Sequence, residues 1–452
     1  MRKYFGTDGI RGKANTFPMT PEMALRLGQA AAQVFSEQGP MRPSVVIGKD
    51  TRLSGYMLES ALQAGFTSAG FYCLLAGPLP TPAVAQLTRS LRANMGVMIS
   101  ASHNSFEDNG IKIFAGDGFK LPDEMERRIE ELMDNPNAIK LASPQDVGRA
   151  VRVEDATGRY IEACKASLPR DFNLDGFKIV VDCAHGAAYR IAPKIFWEMG
   201  AEVIRIGAEP DGLNINDGCG STYPENISAA VVKYEADLGI ALDGDADRVI
   251  LADEKGQIID GDQLMAVIAK HMNERNLLKG SSIAVTQMSN MGLINYLSEH
   301  EIGCLRTQVG DRYVVEAMRQ NGLNFGGEQS GHLIFLDHGT TGDGIIGALQ
   351  FLYVMSLKQV LASELGQTFT KYPQTLHNIK LKDAALADDL LNRGAVQGVI
   401  KEAEQSLGQN GRVFIRKSGT EPLIRVMVEA ADDVSVKTFS ERIVGTIQAN
   451  MT

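Results

Sequence analysis

Three stretches of this sequence carry side chains whose types and spacing could do chemistry. The first is Asp243-Gly-Asp-Ala-Asp-Arg248. Its aspartates alternate, so an extended or looping backbone can bring the carboxylates of Asp243, Asp245 and Asp247 to one centre, where their mutual repulsion calls for a cation. Hard oxygen ligands select Mg²⁺, Mn²⁺ or Ca²⁺ over softer metals. The spacing also matches the start of a calcium-binding EF-hand, with Glu254 at its twelfth place, but Arg248 stands where that loop needs glycine and the flanks read as strands. The second stretch is Met98-Ile-Ser-Ala-Ser-His-Asn104. The apolar run Gly96 to Ile99 predicts a buried strand. Ser102 then falls on a loop at the strand's carboxyl end, where open α/β sheets collect ligands. A Ser-His pair in such a place is more often a turn or helix cap than a nucleophile. The third stretch, Arg416-Lys-Ser-Gly-Thr-Glu-Pro-Leu-Ile-Arg425, surrounds a glycine with hydroxyls and cations. It reads either as a phosphate cradle or as a charged hairpin on a solvated edge.

The elements that must position these residues repeat along the chain. In the first copy, strand Val45 to Gly48 leads through Lys49-Asp-Thr-Arg52 into a helix from Ser54 that Gly70 closes; a strand from Phe71 to Leu75, a helix opened by Pro80-Thr-Pro-Ala83 and the strand at Gly96 follow. The second copy has strands Lys178 to Asp182, Glu202 to Ile206 and Leu238 to Leu242, with helices up to Gly200 and after Pro224. The third has strands Ser282 to Thr286, Cys304 to Arg306 and Leu323 to Phe325, with a helix from Met291 closing at Gly303 and another after Gly310-Asp-Arg312. Each third strand is followed by a polar loop: Ser100 to Asn104, Asp243 to Arg248, and Gly327-Glu-Gln-Ser-Gly-His332. After Thr370 the pattern changes to strand His377 to Lys382, a helical stretch Ala387 to Leu407, strands Arg412 to Ile415 and Leu423 to Glu429, and helix Val434 to Ala449. The expected fold is α/β: three similar mixed β-α-β-α-β domains and a smaller C-terminal α+β domain around a central cleft. Expected boundaries are 1–153 (bearing Ser102), 154–254 (bearing the three aspartates), 255–369 (bearing Gly327 to His332) and 370–452 (bearing Arg416 to Arg425).

Composition excludes several classes of function. At 452 residues the chain is long enough for about three domains of ~150 residues. It contains no run of 18 or more apolar residues, and Met1-Arg-Lys-Tyr-Phe-Gly lacks the apolar core of a signal peptide, so a cytoplasmic location is expected. Five cysteines, scattered and never as C-x-x-C, suggest reduced thiols and no zinc site. A net charge of −10 argues against nucleic acid or an anionic membrane as partner, so an anionic ligand must meet local basic clusters.

Phe5-Gly-Thr-Asp-Gly-Ile-Arg-Gly12, Ile99 to Asn104, Asn109-Gly-Ile-Lys112, Asp243 to Arg248, Gly327 to His332 and Arg416 to Arg425 stand in order along the chain. Together they resemble the α-D-phosphohexomutase superfamily, and the opening Gly-Thr-Asp-Gly-Ile-Arg-Gly resembles its glucosamine branch. The resemblance implies an isomerase-class phosphotransferase that interconverts glucosamine 6-phosphate and glucosamine 1-phosphate, feeding UDP-N-acetylglucosamine and cell-wall synthesis. It implies phosphorylation of Ser102, one Mg²⁺ on Asp243, Asp245, Asp247 and the Ser102 phosphate, and a bisphosphorylated sugar that turns around between two transfers and serves as activator. Three carboxylates with Mg²⁺ still leave about one negative charge before the phosphate adds up to two more, so Arg248, Lys112 and Arg11 are expected nearby. Glu328 and Ser330 would hold sugar hydroxyls, and Arg416, Ser418, Gly419, Thr420 and Arg425 the phosphate that is not reacting. His103, Lys112 and His332 are the proton-carrier candidates. Lys112 ranks first, on the expectation that Arg248 and Mg²⁺ lower its pKa; His332 could equally be a packed, hydrogen-bonded histidine. The implied partner is a phosphosugar, and the implied assembly a monomer or homodimer.

Three positions depart from the superfamily's usual pattern. Ser105 replaces a proline that would stiffen the Ser102 loop. Ala246 replaces a glycine and would be strained only at positive φ. His185 stands where asparagine is common. Two alternatives remain: a phosphoglucomutase or phosphomannomutase with the same catalytic motifs, or a metal-dependent phosphosugar-binding protein that has no need of Ser102.

Overall fold

The computed structural model describes residues 3–36, 43–383, 386–417 and 423–451. The chain forms two compact units, one comprising Met1–Met288 with Leu297–Thr368 and the other Ser289–Tyr296 with Phe369–Thr452. Three mixed α/β sheets make up the first unit and a three-stranded antiparallel sheet the second.

The central strands Ser44–Lys49, Met95–Ile99, Lys178–Asp182, Leu238–Leu242 and Ser282–Thr286 are short apolar runs buried along almost their whole length. That is what strands covered by helices on both faces require. In the first sheet Ser44–Lys49 lies parallel to both Tyr72–Pro78 and Met95–Ile99. Helix Pro21–Ser36 packs on helix Ser54–Ser68 so closely that a Cβ on Gly65 would lie 2.2 Å from the Leu25 carbonyl oxygen, so only glycine admits the contact.

The β-α-β-α-β units are present, each with an addition the periodicity did not disclose. Every third strand is followed by an antiparallel one: Asp108–Ala115 beside Met95–Ile99, Val249–Asp253 beside Leu238–Leu242, and Leu333–Phe335 beside Phe325–Gly327. The three polar loops are therefore connections between an inner strand and an antiparallel neighbour. Lys112 enters through the first of these added strands, paired with Met98.

Several boundaries differ from expectation. The third strand of the third copy is Phe325–Gly327, because Asn324 is buried and bonded to the Leu277 carbonyl and the Lys279 amide before the strand begins. The helix from Met291 ends at Glu299. Left-handed Glu301 turns the chain, and Gly303 already belongs to the next strand. In the C-terminal unit, extended Arg393 divides the expected helical stretch into Leu386–Asn392 and Gly394–Leu407. These two helices and Asp433–Ala449 supply the apolar side chains that cover strands Gln374–Lys380, Leu423–Ala430 and Gly411–Lys417. No helix among the described residues is long and apolar enough to cross a membrane.

Candidate active site

The Asp243 and Ser102 loops meet inside the first unit. Ser102 is buried and left-handed at φ 53°, and its Oγ donates to Asp243 Oδ2 at 2.6 Å. Such a backbone in a residue with a Cβ costs about 1–2 kcal/mol and persists only where its surroundings impose it. Ala246 is also left-handed at φ 54°, so the residue replacing glycine in the aspartate loop does carry the strain. Arg52 donates to the Ser105 carbonyl, which ties the loop down at the place where proline is absent. His185 accepts the Glu209 amide at Nδ1 and takes the Thr51 hydroxyl on its carbonyl, bringing its loop beside the end of strand Ser44–Lys49.

Asp243, Asp245 and Asp247 are buried, and one oxygen from each falls within 4.8 Å of the others. Their remaining partners are polar. Asp245 Oδ2 accepts the Thr81 hydroxyl at 2.6 Å and Lys112 Nζ at 2.9 Å, and Asp247 Oδ2 lies 3.2 Å from the same amine. Asp245 Oδ1 and Asp247 Oδ1 are buried with no hydrogen-bond partner. Burial, then Asp247 and Asp245, raises Asp243 well above the ordinary carboxylate range. Orphaned, mutually repelling hard oxygens fit a divalent cation, which would satisfy all three groups at once.

Cations surround the carboxylates. Among the described residues, Asp8, Asp243, Asp245, Asp247 and Asp311 interleave with Arg11, Lys112, Lys120 and Arg248. Arg11 pairs with Asp8 rather than with the triad, and Lys120 joins Asp8 to Asp311. This corrects the expectation for Lys112. Burial would lower its pKa, but Asp245, Asp8 and Asp247 outweigh burial and hold it well above the ordinary lysine value, so in this environment the amine neutralises carboxylates.

The two histidines are shifted in opposite directions. His103 Nδ1 is 3.5 Å from Ser102 Oγ but receives Arg248 at 3.0 Å, so that nitrogen is bare; burial, then Arg248 and Arg11, lowers His103 to about 4. At His332 burial opposes charge while Asp247 and then Asp311 push it up to about 9. The ring stands between two carboxylates, Nδ1 3.6 Å from Asp247 Oδ1 and Nε2 3.4 Å from Asp311 Oδ2, with the Gly342 amide 3.1 Å from Nε2. Glu328 is half-buried and accepts the Gly310 amide at 3.2 Å, while Ser330 is exposed and its Oγ lies 3.4 Å from Glu328 Oε2.

Of the residues predicted for the site, the first unit thus gathers Ser102, His103, Lys112, Asp243, Asp245, Asp247, Arg248 and His332 into one network, with Arg11 joined through Asp8. In the C-terminal unit Arg416 faces Arg425 directly across the hairpin, and burial, then Arg425, lowers the Arg416 pKa. Ser418, Gly419 and Thr420 lie outside the described residues. Sequence reasoning missed Asp8, Thr81, Lys120 and Asp311. Asp8 and Asp311 were already in view, one inside Phe5 to Gly12 and the other after Gly310, but nothing local marked them as ion-pair partners.

Comparison with known proteins gives matches along the whole chain. Four family models, described as phosphoglucomutase/phosphomannomutase alpha/beta/alpha domains I, II and III and C-terminal domain, match residues 2–140, 158–256, 260–372 and 376–446. A phosphoglucosamine mutase of Parvibaculum lavamentivorans is 58% identical over 99% of both chains. A phosphoglucomutase/phosphomannomutase family structure from Burkholderia thailandensis superimposes with TM-score 0.80 at 22% identity, covering 99% of this chain and 98% of that one. An N-acetylphosphoglucosamine mutase of Aspergillus fumigatus, solved with GlcNAc-6P and magnesium, gives TM-score 0.69 at 17% identity, covering 100% of this chain and 96% of that one.

Proposed function

Because this chain belongs to the phosphoglucomutase/phosphomannomutase family, with all four domain models matched in order, we propose that it is a phosphoglucosamine mutase using Ser102 as phosphoryl carrier. The single observation that carries this reading is a buried serine hydroxyl 2.6 Å from one of three clustered carboxylates. A full-length relative named for that activity, 58% identical, supports the choice of sugar.

The reaction class asks for positioning and charge neutralisation more than for covalent machinery. The bond from phosphorus to Ser102 Oγ breaks as one forms to the free sugar hydroxyl, and the proton that hydroxyl gives up is regained on the released Ser102 Oγ. The sugar bisphosphate then turns over, and its other phosphoryl group returns to Ser102. Asp243, Asp245 and Asp247 would hold a divalent ion, Mg²⁺ by the hardness of its ligands, which when bound withdraws charge from the transferring phosphoryl oxygens. Arg248 and Arg11 present buried Nε–H groups without a hydrogen-bond acceptor, donors suited to an arriving phosphate. Lys112 balances Asp245 and Asp247, His332 orients Asp247, and Glu328 with Ser330 binds sugar hydroxyls. In the C-terminal unit Arg416 and Arg425 bind phosphate, since two guanidinium groups directly opposite on a hairpin can both donate to one anion.

The test is to incubate the protein with glucose 1,6-bisphosphate, read its intact mass, and measure turnover of the 6-phosphates of glucosamine, glucose and mannose. One added phosphoryl group, lost in Ser102→Ala, with glucosamine 6-phosphate preferred, is expected. Turnover without any phosphoprotein would overturn the mechanism, and preference for glucose or mannose would overturn the sugar.

A further inference from the structure

Two residues outside the motifs assigned above grip the Ser102 loop by its backbone. Arg52 is fully buried. Its Nε donates to Asp50 Oδ2 at 2.7 Å, one terminal nitrogen donates to the Ser105 and Asp108 carbonyls, and the other donates to the Ser102 and Asn104 carbonyls at 2.9 Å. All five guanidinium N–H groups are thereby used. Asp50 also accepts the Ser100 hydroxyl at 2.7 Å, and that hydroxyl accepts the Ser102 amide at 2.9 Å. From the other side comes Asn216, which precedes helix Pro224–Tyr234 in the chain segment carrying the aspartate triad. Its Nδ2 donates to the same two carbonyls, Ser102 at 2.9 Å and Asn104 at 3.0 Å. Gly244, within the triad, closes the contact: a Cβ there would stand 2.6 Å from the Ser102 carbonyl oxygen and 2.8 Å from Asn216 Nδ2.

We propose that Arg52 and Asn216 are positioning residues, Arg52 fixing the shape of the Ser102 loop and Asn216 fixing where that loop stands against Asp243, Asp245 and Asp247. The inference rests on the reading that Ser102 carries the phosphoryl group. A phosphorylated Ser102 adds charge approaching −2 beside buried carboxylates, and their repulsion pushes the loop outward in the state that must react. Contacts to the serine side chain cannot resist this, because that side chain changes chemically in every cycle. Contacts to the Ser102 and Asn104 carbonyls are the same in both states. A planar fork also fixes direction as well as distance, which an amine on a flexible stem does not.

A merely structural buried network predicts lost stability and nothing more. A positioning role predicts slower transfer in protein that is fully folded, since misplacing a reacting group by about 1 Å can cost about a hundredfold. The experiment measures single-turnover uptake of phosphoryl by Ser102 from glucose 1,6-bisphosphate, by intact mass, alongside steady-state kinetics and thermal melting. Asn216→Ala is expected to slow uptake and lower kcat by about ten- to a hundredfold, with KM for glucosamine 6-phosphate unchanged within about twofold and the protein still folded at the assay temperature. Arg52→Ala is expected to slow uptake further and to regain rate with added guanidinium ion, whereas Arg52→Lys stays slow. Wild-type uptake in folded Asn216→Ala overturns the proposal and leaves the functional reading intact. A wild type that never takes up phosphoryl removes both.

Discussion

The Ser102 loop and the Glu328 loop occupy equivalent places in two repeats and are held in opposite ways. In the first, buried side chains grip backbone carbonyls, and the Ser102 hydroxyl is itself buried against a carboxylate. In the second, the hold is backbone to backbone: the Gly261 amide donates to the Gln329 carbonyl and the Val249 amide to that of Gly331. Of its side chains, His332 is buried, whereas Glu328 is half-buried and Ser330 exposed. A group that transfers phosphoryl must be dry and fixed, because a small displacement is costly in rate. A group that holds one sugar in two orientations needs reachable acceptors and donors. On the proposed reading the same strand-end connection serves both tasks, and what the side chains bury decides which.

The sharpest way to break this comparison is Ser102→Ala. If the first loop does chemistry, turnover should fall by about a thousandfold or more while the fold survives, since a small side chain on an imposed backbone is exchanged for a smaller one. Turnover assays paired with circular dichroism check both halves, and normal turnover ends the contrast between the loops. Next is Asp245→Asn, which removes one of the orphaned buried oxygens as a charged ligand. Losing a supporting group around a metal costs about 10- to 100-fold in affinity, so losing a ligand should cost at least that in both Mg²⁺ binding and activity. Titrating apoprotein with Mg²⁺ while following activity tests this, and a wild type fully active in EDTA would remove the ion from the site. Arg425→Ala should then cut kcat/KM by about ten- to a hundredfold, the value of one charge-assisted phosphate contact at about 1.5–3 kcal/mol. Kinetics with glucosamine 6-phosphate decide it, and unchanged kcat/KM would return the hairpin to being a charged edge.

What the sequence disclosed was what short range encodes. Apolar runs such as Leu238–Leu242 and Ile283–Val285 announce buried strands, and three alternate aspartates announce repulsion whatever the tertiary context. What it withheld was partnership across the fold. Thr81 donates to a carboxylate 164 positions away, Asn216 to a carbonyl 114 away, and Lys120 pairs with an aspartate 191 away. In sequence Thr81 is a residue of a helix start and Arg52 a residue of a strand-end turn. Lys112 shows the cost of guessing such partners. It stands beside Asp245 and Asp247, as the charge of the aspartate loop requires, but Asp8 joins them, and the three carboxylates raise its pKa where Arg248 and Mg²⁺ were expected to lower it. The added antiparallel strands were hidden for a similar reason, since their pairing depends on the strand before the loop and not on their own periodicity.

The smallest expected effect, and the finest test of the comparison, is Glu328→Gln. Glu328 uses one oxygen on the Gly310 amide and the other, at 3.4 Å, toward Ser330 Oγ, so lone pairs remain for a sugar hydroxyl. Glutamine keeps the shape, and its carbonyl can still accept from Gly310. The remaining position then becomes an NH₂ donor where an anionic acceptor stood. A hydrogen bond to a charged group is worth about 1 kcal/mol more than its neutral counterpart, so affinity should weaken about five- to tenfold. If the contact is to the sugar in both ground and transition states, as proposed, KM should rise by that factor while kcat moves by less than about threefold. Steady-state kinetics on glucosamine 6-phosphate separate the two parameters. A fall in kcat at constant KM would instead place Glu328 among the groups that act during transfer, and the division of labour between the two loops would have to be redrawn.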